Sequence, residues 1–317
     1  MEFKIAVAMK MGCVTVTVIL LIVGLIGNAL VIYIVSGRFR MRTVTNIYLL
    51  CLSIVDIFHL ISIIFVCSTV VLEQFVFGTV LCRISLALEG INWFAGTFIL
   101  TALSIDRFIA VCHPTRAISW RTVKTALVVV VIIFLICIVL LSPLAVYAEI
   151  KIDLKNHSVN QTEYAKHYCT LMIPTENRNL FTLSMFSIGF AVPVLCMIIF
   201  YTMIYRKLQF ISHHNTALSI NSRKSMKSIT RFAFLLIVIY VLFWLPYWVN
   251  QLFVISRLFT NWRVMLYIGI MTQFLGYLNS ALNPLWYAFM SKQFRTMYLE
   301  VATCTSFNDS FLKLFGE

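Results

Sequence analysis

Seven apolar stretches follow one another along this chain, at about 13–35, 46–70, 82–105, 124–147, 181–205, 230–256 and 264–290. Each holds about 20 residues or more. A helix rising 1.5 Å per residue needs that many to cross a hydrocarbon layer ~30 Å thick. In lipid no water satisfies a bare N–H or C=O, so each stretch has to close its own hydrogen bonds as a helix. The composition agrees, with 61% hydrophobic residues, 26 Phe and a mean hydropathy of +0.93. The expected fold is an all-α membrane protein, a seven-transmembrane helix bundle over 13–290, with a short extracellular N-terminus at 1–12 and a cytoplasmic tail at 291–317. The first stretch reads as a span and not a signal peptide: it lasts about 23 residues, ends in SGRFRMR and lacks a small-residue cleavage site. In the tail, Phe294, Met297, Tyr298 and Val301 recur at three- and four-residue steps, which predicts a short amphipathic eighth helix lying on the membrane. Cys304 at its end is a candidate palmitoylation site.

Orientation follows from charge. With the N-terminus outside, the inner loops and tail carry 16 of the 25 Lys and Arg residues and only four of the 12 acids. This positive-inside bias predicts a multi-pass plasma-membrane protein with an extracellular N-terminus. It also accounts for the net charge of +13 without nucleic acid, and it suits contact with anionic membrane lipid. Of the nine cysteines only Cys82 and Cys169 fall in the outer zone, where an oxidising medium permits a disulfide. None of the nine has metal-ligand spacing, and most of the others read as small core residues. Two glycosylation sequons, at Asn156 and Asn160, lie in the second outer loop and agree with that orientation.

A charge at the bilayer centre costs ~2.5–3.5 kcal/mol on insertion scales, so the two acids within the spans, Asp56 and Glu89, are functional candidates. Asn28, Asn92, Asn279, Ser280 and Asn283 accompany them. Glu89 precedes Asp106 by 17 residues, about 25 Å of helix, which puts it in the outer part of the third span. Trp93, at i+4, is expected on the same face, and a carboxylate over an aromatic floor suits a cation. At the inner end of that span, LSIDRFIAVCHP sets Asp106 beside Arg107 in apolar surroundings. No Asp or Glu occurs from 177 to 299, so Arg107 has no acidic partner on the sixth span and Asp106 is its expected mate. Such a pair is strong while water is excluded and weak once it enters, a property wanted in a switch.

These residues resemble the motifs of the rhodopsin-like (class A) G-protein-coupled receptors. GNALV and LSIVD resemble the first- and second-span signatures, and Cys82 with Cys169 matches the family's outer disulfide. DRFIAVCHP is similar to the DRY box, Pro193 with Tyr201 to the fifth-span pattern, FWLP to CWxP and NPLWY to NPxxY. QFLGYLNSALNPLWYAFMSKQFR and FWLPYWVNQ look most like somatostatin, opioid and galanin-type peptide receptors. Departures include Phe75, Phe108, Phe134, Phe243, Tyr240 and Gly96, the last where a sodium-coordinating Ser is usual. The resemblance implies a ligand pocket of Glu89, Trp93, Tyr247, Trp248, Gln251, Gln273 and Tyr277. It implies an internal sodium or water site at Asp56, Asn92, Asn279 and Asn283, with no other cofactor. It further implies an activation switch of Asp106, Arg107, Tyr201, Trp244, Pro246, Asn283, Pro284 and Tyr287. The implied partners are an extracellular peptide and a heterotrimeric G protein, of the inhibitory type by analogy.

Other function classes fit less well. A transporter is expected to show paired repeats or interrupted helices, and no duplication occurs here. An opsin needs a seventh-span lysine, yet 264–290 has none and Tyr277 stands in its place. No cluster of metal ligands or nucleophile motif supports an enzyme. A small biogenic amine is the alternative ligand, since Glu89 also suits a small ammonium. The fifth-span positions that hold serines in catecholamine receptors are Met185, Phe186 and Gly189 here. The long second outer loop, with KHYCTLMI alternating weakly like a strand, suits a lid over a peptide.

Overall fold

The computed structural model describes residues 2–38, 41–156, 163–213, 220–256 and 262–303. Among these, α1 (Glu2–Gly37) and α2 (Val44–Leu72) form an antiparallel pair. The next helix, α3 (Gly78–Cys112), comprises Gly78–Ile91, a π-turn Asn92–Gly96, and Thr97–Cys112. A short α4 (Pro114–Trp120) and then α5 (Val123–Tyr147) follow. After a hairpin of β1 (Ala148–Asn156) and β2 (Glu163–Leu171) comes α6, made of Thr175–Phe186, a π-turn Ser187–Ala191 and Val192–His213. The chain continues through α7 (Ile220–Ser256), α8 (Trp262–Met290) and α9 (Lys292–Ala302). Six of these helices (α1, α2, α3, α5, α6 and α7) are long and apolar enough to cross a membrane. The seventh, α8, has 29 residues, but Gln273, Asn279, Ser280 and Asn283 dilute its apolar character. That polarity faces inward, where Asn279, Ser280 and Asn283 are buried.

Local chemistry sets the helix starts. The hydroxyls of Thr43, Thr122 and Ser291 accept from the amides of Asn46, Thr125 and Phe294, so each caps the helix that follows. Pro114 opens α4 at a position where its missing N–H costs nothing. The first helix begins at Glu2, well before the apolar run, because no breaker interrupts EFKIAVAMK and polarity alone does not end a helix. The bundle is turned outward relative to a soluble protein. On α5, Cys137, Leu141 and Leu144 are buried, whereas Val131, Ile138 and Val139 are more than half exposed on the face that meets lipid.

The helical bundle carries one small sheet. In the second outer loop, β1 and β2 pair antiparallel from Ala148↔Leu171 to Asn156↔Glu163. The reason is the alternation of Ile150, Ile152 and Leu154 with charged residues, a period of two that suits a half-covered strand. The fifth and sixth apolar stretches lie within longer helices, since α6 runs to His213 and α7 starts at Ile220. The predicted amphipathic helix is α9, whose Phe294 is buried 5.7 Å from the Tyr287 ring. Asn160 and Cys304 lie outside the described residues.

Candidate functional site

The outer candidate site is formed by residues of α2, α3, α7 and α8 around Glu89. Glu89 on α3 is only 6% exposed and accepts a hydrogen bond from the Tyr277 hydroxyl of α8 at 3.2 Å. That hydroxyl also lies 3.1 Å from Ser62 Oγ of α2. Gln273, one turn from Tyr277, is a further hydrogen-bond partner of Glu89. The expected neighbour Trp93 has its ring 5.7 Å from Tyr247 and 6.0 Å from Trp248 on α7. A π-turn starts at Asn92, between Glu89 and Trp93. Phe186 of α6 closes that aromatic wall, 5.8 Å from Trp248, and Gln251 hydrogen-bonds Tyr247.

The hairpin forms a lid tied down at four points. Cys82 and Cys169 are bridged with Cα atoms 5.5 Å apart, inside the range expected of a disulfide. Arg83 Nε donates to Ala148 O at 3.1 Å, and Phe75 N donates to His167 O at 2.7 Å. Glu73, at the end of α2, accepts from Lys166 of β2 at 2.8 Å and from Lys10 of α1 at 2.9 Å. The two ammonium groups, Lys166 first, hold the Glu73 carboxyl down at about 2.

Deeper in the bundle than Glu89, a polar cluster surrounds Asp56. Asn92 Nδ2 donates to one carboxylate oxygen at 3.3 Å and Asn283 Nδ2 to the other at 2.8 Å. Asn92 also reaches Ser280 Oγ at 3.3 Å, and His59 Nδ1 lies 3.0 Å from the same hydroxyl. His59 stacks on Tyr277 at 4.3 Å and lies 5.6 Å from Trp244. A continuous line of contacts therefore runs from Glu89 through Tyr277, His59 and Ser280 to Asp56. Beside Asp56 is a cavity of about 10 Å³, room for roughly one water. Gly96 brings no hydroxyl to it, and the Tyr240 ring stands 3.8 Å from where a Cβ on Gly96 would lie. The Tyr240 hydroxyl is itself bound to Thr97. Asn279, whose Oδ1 is buried without a partner among the described residues, also lines this space, which holds one small sphere but not a sodium ion with water ligands of its own. Trp244 comes close to α8 where Gly276 lacks a side chain, since a Cβ there would sit only 2.8 Å from its ring.

At the inner end Arg107 and Asp106 are both buried and paired, with Arg107 Nε donating to Asp106 Oδ2 at 3.0 Å. Arg107 also reaches Thr45 of α2. A second guanidinium shares the carboxylate: Arg121, just beyond α4, donates to Asp106 at 2.7 and 3.1 Å. Phe108 carries no hydroxyl and packs between His113 and Phe200, each 5.3 Å away. The hydroxyls of Tyr201 and Tyr287 are buried without a protein partner among the described residues, as a pair waiting for another arrangement would be. Tyr201 packs on Phe234 of α7 at 5.3 Å, and Tyr287 on Phe232 at 6.2 Å. Pro246 and Pro284 sit inside α7 and α8.

The sequence of residues 27–287 matches the model of the seven-transmembrane receptor (rhodopsin) family. The chain belongs to that family. Among its relatives, somatostatin receptor type 4 of Rattus norvegicus is 35% identical over 284 residues, covering 88% of this chain and 70% of the relative. Somatostatin receptor type 2 of Mus musculus is 30% identical, covering 88% and 74%. Somatostatin receptor type 5 of Bos taurus is 31% identical, covering 88% and 73%. The chain is thus a multi-pass membrane receptor and not an enzyme. Two residues of the receptor's polar network escaped the sequence reading. His59 looked like part of an apolar run, and its partner Ser280 is 221 residues away. Arg121 looked like one more inner-loop charge, and only the turn after α4 brings it to Asp106. The absence of a tyrosine at Phe108 was the one available hint that Asp106 needs another donor.

Proposed function

We propose that the receptor binds an extracellular peptide through a basic residue that pairs with Glu89, and that it signals through a heterotrimeric G protein of the inhibitory type. The observation that carries this is Glu89 itself, a buried carboxylate met by Tyr277 and Gln273 but, among the described residues, by no protein cation. No Lys or Arg occurs in 47–82, 179–205 or 232–256. A carboxylate that has lost water needs a counter-charge or a proton, and a ligand's ammonium or guanidinium supplies the first. The relatives are somatostatin receptors, which agrees with a peptide. A small amine fits the α6 wall less well, since Phe186 and Gly189 offer it no hydroxyl and Phe186 packs on Trp248. In this reading the N-terminus is extracellular, Asn156 and Asn160 carry glycans, Cys304 carries palmitate and the basic inner face rests on anionic lipid.

The decisive experiment compares agonist binding to Glu89→Gln and to the unaltered receptor at equal surface expression. Glutamine keeps the size and removes the charge, which leaves the ligand's cation desolvated and unpaired. The expected loss is ~2–5 kcal/mol, or roughly 30- to 4000-fold in affinity. Glu89→Asp should lose less, because the carboxylate only retreats by one methylene. Equal affinity for wild type and Glu89→Gln would make Glu89 a structural acid and end the proposal.

A further inference from the structure

Cys13 on α1 and Cys67 on α2 face each other with their sulfurs 3.5 Å apart. Neither belongs to the residues around Glu89, the Asp56 cluster or the inner pair. Both stand near the outer ends of their helices. Lys10, one turn before Cys13, reaches Glu73, six residues after Cys67. The two antiparallel helices are thus matched at two successive levels, an ion pair at the surface and a thiol pair about one turn below it. The thiols differ in access, since Cys13 is half-buried and Cys67 is buried.

We infer that Cys13 and Cys67 are a modification site that closes a second disulfide and fastens α1 to α2 beside the lid. The oxidant is a small external disulfide of the glutathione kind, met on the outer face if the N-terminus is extracellular as proposed above. The Cys13 thiol, the more accessible, loses its proton and attacks one sulfur of that disulfide. The S–S bond breaks, one glutathione leaves as thiolate and takes a proton, and Cys13 is held as a mixed disulfide. The Cys67 thiolate then attacks the Cys13 sulfur and the second glutathione leaves, protonated in turn. Two cysteine thiols are oxidised and one glutathione disulfide is reduced to two thiols. Closing from 3.5 Å to a bond of about 2.05 Å is a small movement. The first helix packs chiefly on α2 and α8, which leaves it free to make that shift.

The test uses the purified full-length receptor in detergent, treated with glutathione disulfide or left in mild reductant. Remaining thiols are alkylated and peptides mapped by mass spectrometry without reduction. Detergent exposes both faces, so the outcome reports the geometry of the pair and not the orientation of the chain. The expected result is a peptide linking Cys13 to Cys67 after oxidation, with Cys82 and Cys169 bridged in both samples. Cys67→Ser should stop at a glutathione adduct on Cys13. Closing a loop of this length should raise the thermal midpoint of the oxidised receptor by about 5 °C, a rise that Cys13→Ser removes. If Cys13 and Cys67 both stay alkylated after oxidation, or bond to other cysteines instead, the inference is overturned.

Discussion

At the scale of single residues the inner switch is an imbalance of charge. One carboxylate, Asp106, holds two guanidiniums, Arg107 and Arg121, and α7 supplies no acid to help. Asp106→Asn removes the shared counter-charge from both. It is expected to raise ligand-independent nucleotide exchange on a G protein several-fold in isolated membranes. Arg121→Gln should do the reverse. With its competitor gone, Arg107 keeps the whole carboxylate and basal exchange falls. Arg107→Ala should abolish agonist-stimulated exchange while agonist binding survives, and intact signalling in that variant would remove Arg107 from the mechanism. The Asp106–Arg107 half of this arrangement was legible because the two are adjacent in an apolar context. Arg121 was not, since its role depends on the path of the chain between α4 and α5 and on nothing in its own surroundings.

At the scale of elements the hairpin is clamped to the bundle at Glu73. Glu73 stands in a left-handed backbone conformation, φ 57°, where α2 ends and the first outer loop begins. From there it binds α1 and β2 together. Glu73→Gln keeps the hydrogen-bonding reach but loses the charge, and it should speed both entry and release of a bound agonist by a few-fold in washout kinetics. The pH dependence follows from its lowered carboxyl. The clamp is fully formed above the ordinary carboxylate value of 4.5 and is lost only as pH falls through about 2. Release rates should therefore be flat from about pH 5 to 8, whereas salt, which screens exposed pairs, should raise them. The strands were only half legible. KHYCTLMI alternates weakly, and AEIKIDLKN alternates clearly but sits among loop-like charges. The spans were legible to within two residues at α2, α5 and α8. At α1, α3, α6 and α7 the helix runs on past the apolar stretch, since helix propensity does not stop where hydropathy does.

At the scale of the whole molecule, the seven-helix order could be read from hydropathy, but the meeting of α2, α3 and α8 at Asp56 could not. That meeting brings a measurable expectation. Because the space beside Asp56 holds only about one small sphere and lacks an oxygen from Gly96, agonist affinity should be equal in sodium chloride and in choline chloride at the same ionic strength. Gly96→Ser combined with Tyr240→Phe should introduce a sodium dependence. A strong sodium effect on the unaltered receptor would show that the cluster opens further than the structure records. The π-turns of α3 and α6 carry one more consequence. Each turn inserts one residue, which rotates everything outward of it by about 100° relative to everything inward. The bundle is in effect two rotors joined on common shafts, with the angular phase of the upper rotor set independently of the lower. Deleting one residue within Asn92–Gly96 should swing Glu89 away from Tyr277 and abolish agonist binding. Asp106, Arg107 and basal exchange would stay as they were, so recognition could drift through small insertions of this kind while the apparatus that addresses the cell interior kept its bearing.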